Sequence, residues 1–125
     1  MKGRLLCLGA ALFLTATQFV RADNQETADG LFHQLLNAQV AGDYSAFVAH
    51  GTTELKAALT KTQFDASCEL LAPRLNGGYD LAALGELNQK GYQIYLYRLR
   101  FKGGGDDLLA TLTLKDGEVA GIYFK

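Results

Sequence analysis

The sequence predicts an α+β fold, with N-terminal helices covering one face of a four-stranded antiparallel sheet. Three observations carry this. Apolar residues recur at helical spacing from Asn24 to Leu75, the period changes to two after Tyr79, and the later segments are joined by short links of Gly, Asp, Asn and Lys. Runs of helix followed by runs of strand segregate into helices on a sheet rather than into alternating strand-helix units.

The helical half divides at its own punctuation. Ala28, Leu31, Phe32, Leu35 and Leu36 form one stripe between Asn24 and Ala41, and Gly42 ends it. This helix is the longest and the most amphipathic, so it is expected to lie across the sheet. Asp43 can cap a second, short helix carrying Tyr44, Phe47 and Val48, which ends near Gly51. Thr53 opens a further turn with Leu55, Ala58 and Leu59, and Thr62 is expected to cap a third helical segment. That segment places Phe64, Cys68, Leu71 and Leu75 on one side. Pro73 is expected to kink or split it, because proline removes an intrahelical hydrogen bond. Gly77 and Gly78 close the helical half.

Strands are expected at 79–88, 92–102, 107–115 and 118–124, joined as a meander. Asp116-Gly117 suits a two-residue hairpin turn in which both residues take positive φ. Gly103-Gly104-Gly105-Asp106 is read as a longer, flexible hairpin loop. It lacks the following helix and the Lys-Ser/Thr of a phosphate-binding loop.

The N-terminus predicts export. Lys2 and Arg4 precede an apolar run from Leu5 to Thr17, and Val20 and Ala22 occupy the small-residue positions before a cleavage point. Residues 1–22 are therefore assigned to a cleavable signal peptide, cut after Ala22, and 23–125 to one domain. The run is shorter than the roughly 20 residues needed to span a bilayer, so no stable membrane anchor is expected after cleavage. Cys7 lies before the run is complete, which disfavours lipid attachment. The compartment this implies is the periplasm or the exterior.

Losing Lys2, Arg4 and Arg21 takes the formal charge from −1 to −4, because the segment contains none of the 13 acidic residues. A mildly acidic domain has no general attraction for nucleic acid. Only Cys68 then remains, which excludes an internal disulfide and any zinc site built on paired cysteines. No metal-binding spacing or cofactor motif is present.

The order of a long helix, an Ala-Gly-Asp-Tyr break at 41–44, further helices and a meander closing on Leu-Lys-Asp-Gly-Glu-Val-Ala-Gly-Ile-Tyr-Phe at 114–124 resembles the nuclear-transport-factor-2-like, cystatin-like α+β superfamily. The resemblance covers 23–125 and is closest to small bacterial domains of unknown function. It implies a cone-like half-barrel whose sheet curls around helices, a pocket at the open end, and dimers formed through the sheet. Members include isomerases, dehydratases and domains that only bind, so the fold does not choose among them. Enzymatic members place Asp, His, Tyr or Arg inside the cone, and no such set matches here residue by residue.

The segment Tyr-Gln-Ile-Tyr-Leu-Tyr-Arg-Leu-Arg-Phe at 92–101 is the most informative. Alternation puts Tyr95, Tyr97, Leu99 and Phe101 on one face and Ile94, Leu96, Arg98 and Arg100 on the other. Both faces are partly apolar, which suits helices on one side and a partner or ligand on the other. Tyr95, Tyr97 and Arg98 are the candidate ligand-binding residues. A structural reading competes with this: the tyrosines as core, and the arginines as guards of an aggregation-prone strand.

The remaining candidates read as structural. His33 falls opposite the apolar stripe and is expected to face solvent, and His50 lies where a cation favours the end of the short second helix. Cys68 is expected to be a small buried apolar residue, with a reactive or dimer-forming thiol, which needs exposure and a lowered pKa, as the alternative. Asp65, Glu69, Asp80 and Glu86 have the spacing of solvated carboxylates. The leading expectation is a non-catalytic domain binding a small apolar or aromatic ligand, or a protein partner. Its alternatives are an isomerase- or hydrolase-like enzyme with an acid-base site in the cone mouth, and a structural homodimer or accessory subunit. Binding predicts a pocket or exposed apolar patch without convergent titratable groups, whereas catalysis predicts at least two such groups in one pocket.

Overall fold

The computed structural model describes residues 24–125, so the signal peptide assigned to 1–22 lies outside the described residues. The described residues fall into two units, 24–31 and 32–125. The first is helical, with the Gln25 amide donating to Asp29 one turn on. No helix among the described residues is long and apolar enough to cross a membrane.

The second unit contains the whole sheet. Residues 24–41 form α1, and its part beyond Leu31 buries Phe32, Leu35, Leu36, Ala38 and Gln39. Then follow α2 (Tyr44–Val48), α3 (Thr53–Ala58), α4 (Lys61–Asn76) and the strands β1 (Tyr79–Gln89), β2 (Tyr92–Phe101), β3 (Leu108–Lys115) and β4 (Glu118–Phe124). The sheet is open, antiparallel throughout and ordered β1-β2-β3-β4. The α+β fold, with helices packed on a curved four-stranded sheet, is thus the observed architecture.

The helices α2, α3 and α4 each start on an oxygen that the sequence supplies. Asp43 accepts from the Ala46 amide at the head of α2, and Thr52 accepts from Leu55 at the head of α3. The cap of α4 is Thr60, not Thr62. Thr60 and Gln63 form a reciprocal capping box, each side chain bonded to the other's backbone amide. Thr62 has Asp65 three residues on, and that carboxylate pairs instead with Lys61 at 2.8 Å. Pro73 does not split the helix either, since α4 runs unbroken to Asn76. The bond that proline removes would have ended on the carbonyl of Glu69, an exposed residue, where water can replace it.

Two tight turns close the same end of the sheet, joining β1 to β2 and β3 to β4. Asp116 and Gly117 have φ of 51° and 81°, as the sequence predicts for this hairpin. Lys90-Gly91 repeats the solution between β1 and β2, with φ of 53° and 83°. Two bulges bend the strands: Leu84 is the extra residue of β1, and Ala120 that of β4. The second bulge reverses the parity of β4. Val119 therefore faces inward with Ile122 and Phe124, although strict alternation would separate them.

The core lies between the inner face of the sheet and the helices. Tyr95, Tyr97 and Leu99 of β2 oppose Leu112, Ala110 and Leu108 of β3, Phe101 opposes Tyr79 of β1, all four β2 side chains are buried, and the Phe32 ring lies 4.6 Å from that of Tyr97. Each such side chain contributes about 1.5–3 kcal/mol on burial. From α4, Phe64, Leu71 and Leu75 enter the same core. Arg74 places its guanidinium 3.9 Å from the Phe101 ring and donates to the Asp106 carbonyl, tying the glycine loop to the helix.

Two predictions follow from this packing. Deleting residues 118–125 removes the β4 edge with Val119, Ile122 and Phe124, and should abolish cooperative unfolding in a denaturant titration; retained cooperativity would contradict the four-strand arrangement. Thr60→Ala should lower the unfolding free energy by about 1 kcal/mol with the denaturant slope unchanged.

Candidate functional site

The three side chains singled out by the strand pattern do not meet. Tyr95 and Tyr97 are each 1% exposed on the inner face, where the helices cover them. Arg98 points from the opposite face, half-buried between its cross-strand neighbours Ala82 and Leu109. Its Nε is buried and has no hydrogen-bond partner among the described residues. The sheet itself separates the tyrosines from the arginine, so no single pocket uses all three.

Among the described residues no helix packs across the outer face that carries Arg98, and only the start of α3 reaches its edge. Leu87, Leu109 and Tyr123 are exposed there, beside the half-buried Ile94 and Leu96. A shallow groove of about 410 Å³ crosses its lower part, between Tyr92, Ile94, Thr113, Tyr123 and the start of α3. Lys115 sits 5.2 Å from the Tyr92 ring centre. At the other end Arg100 grips Asp107 through two hydrogen bonds, and these hold the Asp107 carboxyl below the usual carboxylate range.

A second, more enclosed space lies on the inner side. It measures about 120 Å³ and is bounded by Phe47 of α2, Leu55 and Leu59 of and after α3, Phe64 of α4, and Ile122 and Phe124 of β4. Gln39 of α1 and Ser67 of α4 complete the wall. The elements explain why the space exists. The bulge at Ala120 turns Ile122 and Phe124 inward, and the backbone of Thr52 bonds to Val119, fixing the start of α3 beside β4. The helices thereby arch over the end of the sheet.

Its aromatic wall is ordered by its neighbours. The Phe47 and Phe64 rings are 4.9 Å apart, and Tyr44 meets Phe64 edge-on at 5.7 Å while its hydroxyl donates to the Leu59 carbonyl. The polar pole is small. Gln39 is 2% exposed; its amide nitrogen donates to the Ser67 hydroxyl at 3.3 Å, and its oxygen accepts from the Cys68 thiol at 3.2 Å. None of the eight lining residues is titratable.

Cys68 is half-buried rather than sealed in the core. Burial pushes its thiol above the ordinary range, and the nearby Asp65 carboxylate adds to that, against a smaller opposing effect of Lys61. Such a thiol is protonated at neutral pH and a poor nucleophile. His33 and His50 are both exposed, and neither borders the cavity. No group of three or more His, Cys, Asp or Glu side chains able to hold a metal ion occurs among the described residues.

Gln39 and Ser67 were not legible as a pair, because they lie on different helices. A signal existed for the first of them. Gln39 continues the apolar stripe of Phe32, Leu35 and Leu36, and a polar residue at a core position calls for a buried partner.

No protein-family model matches the chain, and a search of curated proteins finds no match either.

The state of Cys68 gives a pH-dependent prediction. Alkylation by iodoacetamide at pH 7 should be slower than that of free cysteine, with the rate rising only above the free-thiol range. A folded pKa above the unfolded one stabilises the fold below the unfolded pKa, and this contribution is lost as pH rises through the folded value. Alkylation as fast as the free amino acid at neutral pH would contradict the geometry.

Proposed function

We propose that this chain is an exported, non-catalytic binding domain that takes a small apolar or aromatic ligand in the cavity between α2, α3, α4 and β4. The observation that supports this is the character of the cavity: six apolar or aromatic side chains, one small polar pole and no titratable group. A general acid-base site needs two ionisable groups held in different environments, and the cavity wall supplies none. The isomerase- or hydrolase-like reading is correspondingly the weaker one. Export rests on the leader pattern at 1–22. The element order supports a place in the nuclear-transport-factor-2-like superfamily, where binding at the open end of the sheet accords with this cavity.

A second reading concerns the outer face. Leu87, Leu109 and Tyr123 are exposed on a face that no helix among the described residues covers, which favours a protein partner or a second copy of the chain there. The two readings are compatible, since the sheet separates the two surfaces.

Titrating the protein with toluene while recording amide chemical shifts tests the first reading. Shifts should cluster on residues 39, 47, 55, 59, 64, 67, 122 and 124 and saturate. Absence of such shifts with toluene and with its hydroxyl counterpart phenol alike would remove the basis for a ligand site. Light scattering tests the second: a dimer that Tyr123→Lys converts to a monomer would support the outer face as an interface, and a strict monomer at all concentrations would exclude the homodimer.

A further inference from the structure

The cavity is not uniformly apolar, and its one polar corner restricts what fits. This inference rests on the reading of that space as a ligand site. Gln39 and Ser67 both border it, and their mutual bond is long, 3.3 Å between the amide nitrogen and the hydroxyl oxygen. The other partner of Gln39 is the Cys68 thiol, which holds the amide oxygen at 3.2 Å. A thiol is a weak donor. The carboxamide is thus buried to 2% exposure while its acceptor oxygen is satisfied only by the poorest donor among the common side chains. The Ser67 hydroxyl, which accepts from Gln39, still has a proton to donate.

A ligand hydroxyl answers both at once. It can donate to the Gln39 oxygen, which has a second lone pair beside the one facing the thiol, and accept from the Ser67 hydroxyl. A purely apolar ligand would instead press carbon against that corner and strip it of any water, leaving polar groups uncompensated. Size sets the second restriction. An apolar cavity of about 150 Å³ holds a benzene molecule, whereas this one is about 120 Å³ and open on one side. A single ring, held partly at the mouth, is therefore the most it takes, and a fused pair of rings does not fit. The Phe47 and Phe64 rings, tilted by 50° to each other, offer the face and edge contacts that an aromatic guest favours.

From these restrictions we infer that the cavity selects a single-ring aromatic bearing one hydroxyl group, a simple phenol, with the hydroxyl at Gln39 and Ser67 and the ring against Phe47 and Phe64. The matched probes are phenol and toluene, which differ by a hydroxyl in place of a methyl group.

Affinities of both probes for the purified protein, read from amide chemical shifts, test the assignment, together with those for 2-naphthol. Phenol should bind about fivefold more tightly than toluene, the effect of one net hydrogen bond, and 2-naphthol should not bind in the cavity. Gln39→Met keeps the length of the side chain without its amide, and should abolish the preference for phenol while toluene still binds. Ser67→Ala serves the same purpose should Gln39→Met fail to fold, and should reduce the preference.

The outcomes separate. Equal binding of phenol and toluene, or a preference that survives both substitutions, would overturn the phenol assignment and leave the ligand site standing. Saturable binding of 2-naphthol at the cavity residues would overturn the size limit. Failure of every probe would overturn the phenol assignment and the ligand site together.

Discussion

The alternation of β2 is the constraint on which the second unit is built. The strand has a paired neighbour on each side, so its register cannot slip without exposing Tyr95, Tyr97, Leu99 and Phe101 together. Those four side chains form the floor on which Phe32, from α1, and the Arg74 stack, from α4, are laid. Once the floor is fixed, its opposite face is fixed too. Ile94, Leu96 and Arg98 must point away from the helices, whatever they meet there.

The cavity follows from a local departure from that regularity. An unbulged β4 would alternate strictly and could not direct Val119, Ile122 and Phe124 to one side. The extra residue at Ala120 changes the parity, and the pairing of Gly51 with Val119 anchors the start of α3 at the same place. Helix caps at Thr52 and Thr60 then set where α3 and α4 begin, and so how the short helices span the end of the sheet. Enclosed apolar volume with a single polar corner is the result. Close packing would ordinarily fill such a space, because lining atoms without neighbours forfeit dispersion contacts.

Much of this was legible in the chain, for a physical reason. The strands lie within a residue or so of their expected limits because the switch from helical to alternate spacing at Tyr79 is abrupt, and because Asp116-Gly117 is compatible with few turn geometries. The inward set of β2 was equally plain. Thr62 was mistaken for the cap because Thr60 and Thr62 are chemically alike, and only the position of Gln63 distinguishes them. Pro73 leaves α4 unsplit because its cost depends on what surrounds Glu69, which is a tertiary fact. The site was less legible still. Tyr95, Tyr97 and Arg98 stood out because aromatics and arginines often bind, yet burial in the core uses the same aromatic residues. The cavity wall draws on five elements and the turn after α3, and no spacing along one element reveals such a convergence.

The central claim is that the space bounded by Phe47, Phe64 and Phe124 is a binding site for a compact apolar guest. The most direct test is a crystal structure of the protein under pressurised xenon, which occupies apolar cavities without needing a hydrogen bond. One well-occupied xenon site is expected among Phe47, Leu59, Phe64 and Ile122, with the surrounding side chains unmoved. A cavity that stays empty, or whose side chains have collapsed to fill it, would contradict the account.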